Sequence, residues 1–187
     1  GEALATGPNI NVTSSGKAVM SAEQRVGAFS AIQKAQDNSG HLTQNERDYI
    51  DALSQRYNGE PSTPRAPLDI SYAVAMEALK NKYPEDNDAA SLFSEALMNT
   101  MPWNYWTDEG TPKPDTKKVL ATLESVLSIN PDHPLAIHLY IHAVEASKTP
   151  ERAEPYADRL GKLVPGSGHL VHMPSHTFWR VGRYNDA

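Results

Sequence analysis

Residues 134–147 read PLAIHLYIHAVEAS, and residues 169–179 read HLVHMPSHTFW. Each stretch carries two histidines four apart, His138/His142 and His172/His176, and the second pair follows the first by 34 residues. That offset is the length of one helix–turn–helix repeat unit. Side chains four apart on a helix lie one above the other, ~6 Å along the axis. The spacing therefore predicts helices that bring a pair of imidazoles back to the same place in successive repeats. Glu145, seven residues beyond His138, adds a carboxylate to the same helix face.

Working outward, the repeat is punctuated by proline. SYAVAMEALKNKYP is followed by DAASLFSEALMN, TKKVLATLESVLSINP by PLAIHLYIHAVEAS, and ERAEPYADRLGKLVP by PSHTFWRVGR; the first members end at Pro84, Pro131 and Pro165. Pro131 and Pro165 are 34 residues apart, Pro84 and Pro131 are 47 apart, so the earlier unit carries a 13-residue insertion. The insertion contains MPWNYWTDEGTPKPD, whose aromatic residues either cover something or pack against a neighbouring helix. Nearer the start, Ser21 with Gln24 and Thr43 with Glu46 form capping-box helix starts. Val26, Phe29, Ile32 and Ala35 then mark a helical apolar face, and NGEPSTPRAP breaks the chain as a polar, Pro-rich loop. Few alternating β-branched runs occur. The fold class is all-α.

The expected organisation is a single α-helical domain over 1–187, read as a piece of a longer solenoid. It has an N-terminal helical part over 1–57, a loop over 58–67, and repeats over 68–187 with an inserted loop near 100–115. A chain of 187 residues with 39% hydrophobic content can bury a sizeable core. A net charge of −6 and the lack of a basic stripe argue against nucleic acid as a partner. No apolar run approaches the ~20 residues of a membrane-spanning helix. The absence of cysteine removes thiolate ligands and thiol nucleophiles, and GEALATGPN shows no signal-peptide pattern. Compartment stays open between a soluble cytoplasmic and a periplasmic setting.

Two imidazoles one helical turn apart can share a cation. Adjacent helices pack ~8–10 Å apart, so donors from neighbouring repeats can converge. His138, His142, Glu145, His172 and His176 are the candidate metal ligands. A His/Glu set suits a divalent transition metal, with Zn first and Fe, Ni or Cu as alternatives. Pro174 fits the first turn of a helix, so that helix is expected to start near it, with His172 just before. His133 reads as a turn residue before Pro134, His41 as unrelated, and His169 in GSGHLVH as either a ligand or an exposed side chain. Tyr140 and Trp179 either contact a ligand or pack. Arg180 and Arg183 either receive an anion or stand as solvated charges. No HExxH, GxSxG, GxGxxG or P-loop motif occurs, so no catalytic residue is assigned.

Ala153, Ala157 and Pro165 sit where the tetratricopeptide (TPR) pattern wants small residues and a closing proline, and Gly182, Tyr184 and Ala187 fit its next turn. With ERDYIDAL, MPWNYWT, HLYIHAVEAS and HMPSHTFWRVGRYNDA, the chain resembles a His-rich group of bacterial TPR-containing proteins with no established activity. The resemblance implies a right-handed superhelix of antiparallel helix pairs. It also implies a concave groove lined by the first helix of each TPR pair; in the TPR register PLAIHLYIHAVEAS and PSHTFWRVGR are those first helices, with the histidines facing into the groove. In that register Glu95 lines up with His142 and His176, and Glu95, His169, Trp179 and Arg180 become groove residues. Two functions follow as expectations. One is a groove that holds a metal, which would allow a metal-dependent enzyme. The other is a metal-free scaffold binding a peptide or protein partner.

Overall fold

The computed structural model describes residues 20–187; the part of the expected N-terminal segment that covers 1–19 lies outside the described residues. The described chain is helical, with no strand and one isolated bridge between Trp106 and Pro112. It divides into two compact units, one through Trp103 and one from Asn104 to Ala187. The division falls at the inserted loop. The 58–67 loop lies inside the first unit, where Arg25 donates to the carbonyls of Pro61 and Thr63 at 2.9 and 2.7 Å.

The first unit comprises α1 (Ala22–Asp37), α2 (Gln44–Ser54), α3 (Arg65–Lys82) and α4 (Asn87–Thr100). Both capping boxes form, Ser21 with Gln24 and Thr43 with Glu46, so orphan N–H groups at each helix start are satisfied. The buried face of α1 runs through Ala28 and Ile32 against Tyr57, with Phe29 packed alongside. Val26 is exposed instead, because at 100° per residue it lies nearly opposite Ala28. Helix α3 starts at Arg65, six residues before the apolar run SYAVAM. Pro67 falls in its first turn, where a missing N–H costs no hydrogen bond. Asp69, Tyr72, Met76 and Leu79 give it one buried stripe, and α3 packs on α4.

In the second unit the elements are α5 (Pro114–Ile129), α6 (Pro134–Val144), a 3₁₀ turn (Pro150–Ala153), α7 (Glu154–Leu163), α8 (Gly168–His172) and α9 (Pro174–Val181). Helix α5 buries Val119, Leu120, Leu123, Val126 and Leu127. Helix α6 packs against α5, α7, the 3₁₀ turn and α9, and every residue from Ala136 to Val144 is buried. A helix enclosed on all sides has no solvent face for its polar side chains. Two of those enclosed residues are His138 and His142.

Asp69 is the corresponding buried polar group in the first unit. Its carboxylate takes Arg56 Nε at 3.3 Å and Arg65 Nη2 at 2.5 Å, all three side chains being nearly solvent-free. Removing one partner of a buried pair strands the others. Asp69→Ala is expected to lower unfolding stability by about 3–5 kcal/mol, measured by urea denaturation.

Candidate metal centre

His133 caps α6: its Nδ1 accepts the Ala136 N–H at 3.3 Å, which ties the side chain to the helix start. Four residues into the helix, His138 projects with a side chain deep enough that burial, then the field of neighbouring histidines, pushes its pKa down to about 3. His142 follows one turn later with 2% of its side chain exposed. Glu145 is the C-cap residue of α6, still in the right-handed helical region at φ −56°, ψ −33°. Its carboxylate is therefore carried on the same rigid element as the two imidazoles.

The partners come from α8 and α9. Ser167 caps α8, and the five-residue helix brings His169 Nε2 to 3.1 Å from His138 Nε2. Helix α9 begins at Pro174, as the proline predicts. Met173 between α8 and α9 is itself helical, φ −54°, ψ −37°, so the two short helices form one path. His172 and His176 consequently keep a helical spacing, with ring centroids 4.9 Å apart; the value for His138 and His142 is 5.0 Å.

The five imidazoles close into a circuit. His138 adjoins His142 at 5.0 Å, His142 adjoins His176 at 5.3 Å, His176 adjoins His172 at 4.9 Å, His172 adjoins His169 at 5.4 Å, and His169 returns to His138 at 5.0 Å. Such separations suit edge-to-face ring packing. They also suit imidazoles bound through one nitrogen each to a shared tetrahedral ion, whose centroids stand roughly 5 Å apart.

Glu145 fixes two of these rings. Oε1 lies 3.0 Å from His142 Nδ1, and Oε2 lies 2.6 Å from His176 Nδ1. An ionised carboxylate only accepts, so both Nδ1 atoms donate, and a neutral ring then carries its lone pair on Nε2. Burial raises the carboxyl pKa, but the hydrogen bonds from His142 and His176 outweigh it and hold Glu145 at about 2. The same bond raises His176 against its own burial. Burial first, and then the adjacent imidazoles, lower His169 and His172. Uncharged imidazoles and an ionised carboxylate are the forms that bind a cation.

Two groups among the described residues have ligand atoms all within 4.8 Å of one another: His138, His142 and His169; and His142, Glu145 and His176. His172 joins the circuit through its neighbours on either side. His169, expected as a ligand, an exposed side chain or a groove residue, lies against His138. Glu95 lies on α4 of the first unit, half-buried, where its charge acts on the Tyr72 hydroxyl. Trp179 is 66% exposed and meets Tyr184 edge-on at 5.2 Å. Arg180 donates to the Ser147 carbonyl at 3.3 Å and lines an open polar cavity with Lys148, Asp108 and Glu151. Arg183 is taken up by Glu154, Asp158 and Asp186, and Tyr140 donates to Glu124.

Trp106, in the inserted loop, is a supporting residue that spacing alone does not identify. Its indole N–H donates at 2.8 Å to the Ala143 carbonyl, between His142 and Glu145 in the chain. The carbonyls in the last turn of a helix lack intrahelical partners, and this one is met from outside. No family model matches the chain, and no curated protein or solved structure matches it.

Trp106→Phe keeps the ring and deletes the donor, leaving the Ala143 carbonyl without that bond. It is expected to cost about 1–3 kcal/mol in denaturant unfolding. A variant with unchanged stability would deny the indole this role.

Proposed function

We propose that the second unit is a TPR-like helical repeat that binds a transition-metal ion through His138, His142 and His169. The observation that carries this is the 3.1 Å approach of His138 Nε2 to His169 Nε2, with a ligand atom of His142 within 4.8 Å of both. Two nitrogens bound at ~2.0–2.1 Å to one tetrahedral zinc stand ~3.3 Å apart. The donor pair is therefore within a few tenths of an ångström of a ligating arrangement. With Nδ1 of His142 donating to Glu145, the neutral ring would ligate through Nε2, Glu145 acting as the outer carboxylate does in many histidine metal sites.

A cysteine-free set of imidazoles favours Zn²⁺ and suits Fe²⁺, Ni²⁺ or Cu²⁺ by the same chemistry. Three protein ligands leave a fourth position for water, the arrangement in which zinc supplies a hydroxide near neutral pH. His169 is exposed, so that position lies on the accessible side of the site. The TPR-like assignment rests on the 34-residue return of the histidine pairs and on the joined α8–α9 path, which starts at Gly168, 34 residues after α6 starts at Pro134.

Protein made without a polyhistidine tag is expected to retain close to one or more equivalents of metal by elemental analysis. His169→Ala changes an exposed residue and leaves no core cavity. It is expected to weaken Zn²⁺ binding at least ~100-fold, with helicity by circular dichroism unchanged. Chelation is expected to lower the thermal midpoint, since an ion present at ~1,000 times its Kd stabilises by ~4 kcal/mol. A protein that neither retains nor takes up metal, and whose stability ignores chelator, would return the site to the peptide-binding scaffold.

A further inference from the structure

We infer that the site holds two ions, with the imidazole of His142 bridging between them; this rests on the metal-binding proposal above. The donors outnumber what one ion takes. Five imidazoles and one carboxylate are gathered in the circuit, while a tetrahedral ion accepts four ligands, one of them water in an open site. The donors also divide. His138, His142 and His169 form one close group, and His142, Glu145 and His176 form another, with His142 common to both.

Ring geometry explains how one residue serves twice. Nδ1 of His142 faces Glu145 Oε1 at 3.0 Å, on the side where His176 Nδ1 meets Oε2 at 2.6 Å. His142 also belongs to the close group with His138 and His169, and the bridged arrangement assigns its Nε2 to that group. An imidazole bound at both nitrogens separates its ions by ~6 Å. Glu145 then exchanges two hydrogen bonds for an oxygen–metal bond. On binding of the second ion, the Nδ1 proton of His142 leaves to solvent and the ring becomes an imidazolate. His176 keeps one proton, now at Nε2, and binds through Nδ1. Two anionic ligands, the imidazolate and the carboxylate, offset the repulsion between two dications in a buried setting. His142 is the most enclosed donor of the set, which places the shared ligand at the centre rather than at the rim.

The test is titration of metal-free full chain with Cu²⁺, followed by desalting, elemental analysis and electron paramagnetic resonance. Two equivalents per chain are expected, with a weakened resonance because the bridge couples the two unpaired spins. In Glu145→Gln the expected result is one equivalent and the full signal of an isolated Cu²⁺. Saturation of the wild-type chain at one equivalent overturns the bridged pair and leaves the single-ion proposal standing. Binding of no copper or zinc overturns both. Two equivalents with uncoupled signals would assign the second ion elsewhere and also overturn the bridge. The wild-type stoichiometry and spectrum decide the matter even where the variant does not fold.

Discussion

Enclosing α6 on every side is the constraint from which the site follows. A helix packed against four neighbouring elements serves as the centre of the second unit's core, and Ile137, Leu139 and Ile141 fill that role. His138 and His142 occupy the same enclosed helix, and burying an imidazole costs free energy unless its nitrogens find partners. Both are buried, at 6% and 2% relative exposure, and protein supplies partners. Glu145 arrives on the same helix, and His169 and His176 arrive from α8 and α9. The polar network is thus a consequence of where the helix sits, and it in turn fixes α8 and α9 against α6.

Much of this was legible in residue spacing, because helical geometry is local. The pairs His138/His142 and His172/His176, the two capping boxes and the start of α9 at Pro174 all depend on neighbours within one or two turns. His169 was harder, since GSGH is a plausible loop. A signal was nonetheless present. His169, His172 and His176 stand at i, i+3 and i+7, one helical face, and Ser167 precedes them as a cap. Pro174 concealed that stripe by suggesting a break, whereas helical backbone at Met173 carries the path through. Val26 shows the opposite error: an apolar residue counted into a face it does not share.

Long-range pairings were not legible in the same way. Trp106 reaches Ala143 across 37 residues, and no periodicity links an inserted loop to a particular carbonyl. The hairpin that presents it depends on Thr107 bonding the Thr111 carbonyl and on Gly110 at φ +78°, with the Lys148 stem packed where a Cβ would stand. Composition could only offer covering or packing as alternatives. The loop packs, and it does so on the stretch of backbone that joins His142 to Glu145. The register that aligned Glu95 with His142 rested on subtracting the insertion as though the repeat continued unchanged through it. Glu95 lies in the first unit and His142 in the second, the chain dividing at that insertion.

Division of labour among the helices gives the metal-binding proposal its physical shape. His138, His142 and Glu145 ride on a helix whose position is set by core packing, so their mutual geometry is paid for by folding rather than by the ligand. His169 and His172 ride on a five-residue helix at the exposed side. A short helix has little cooperativity of its own and is held by what it packs against. A cation entering from that side would meet the exposed imidazoles first and the enclosed pair second. Under that proposal the exposed donors would govern entry and exchange, and the enclosed ones geometry and hence the choice of metal. The same split explains why the carboxylate belongs on α6. Its charge acts at a largely buried position, the side chain being 18% exposed, and its two oxygens align one ring from each side of the helix interface.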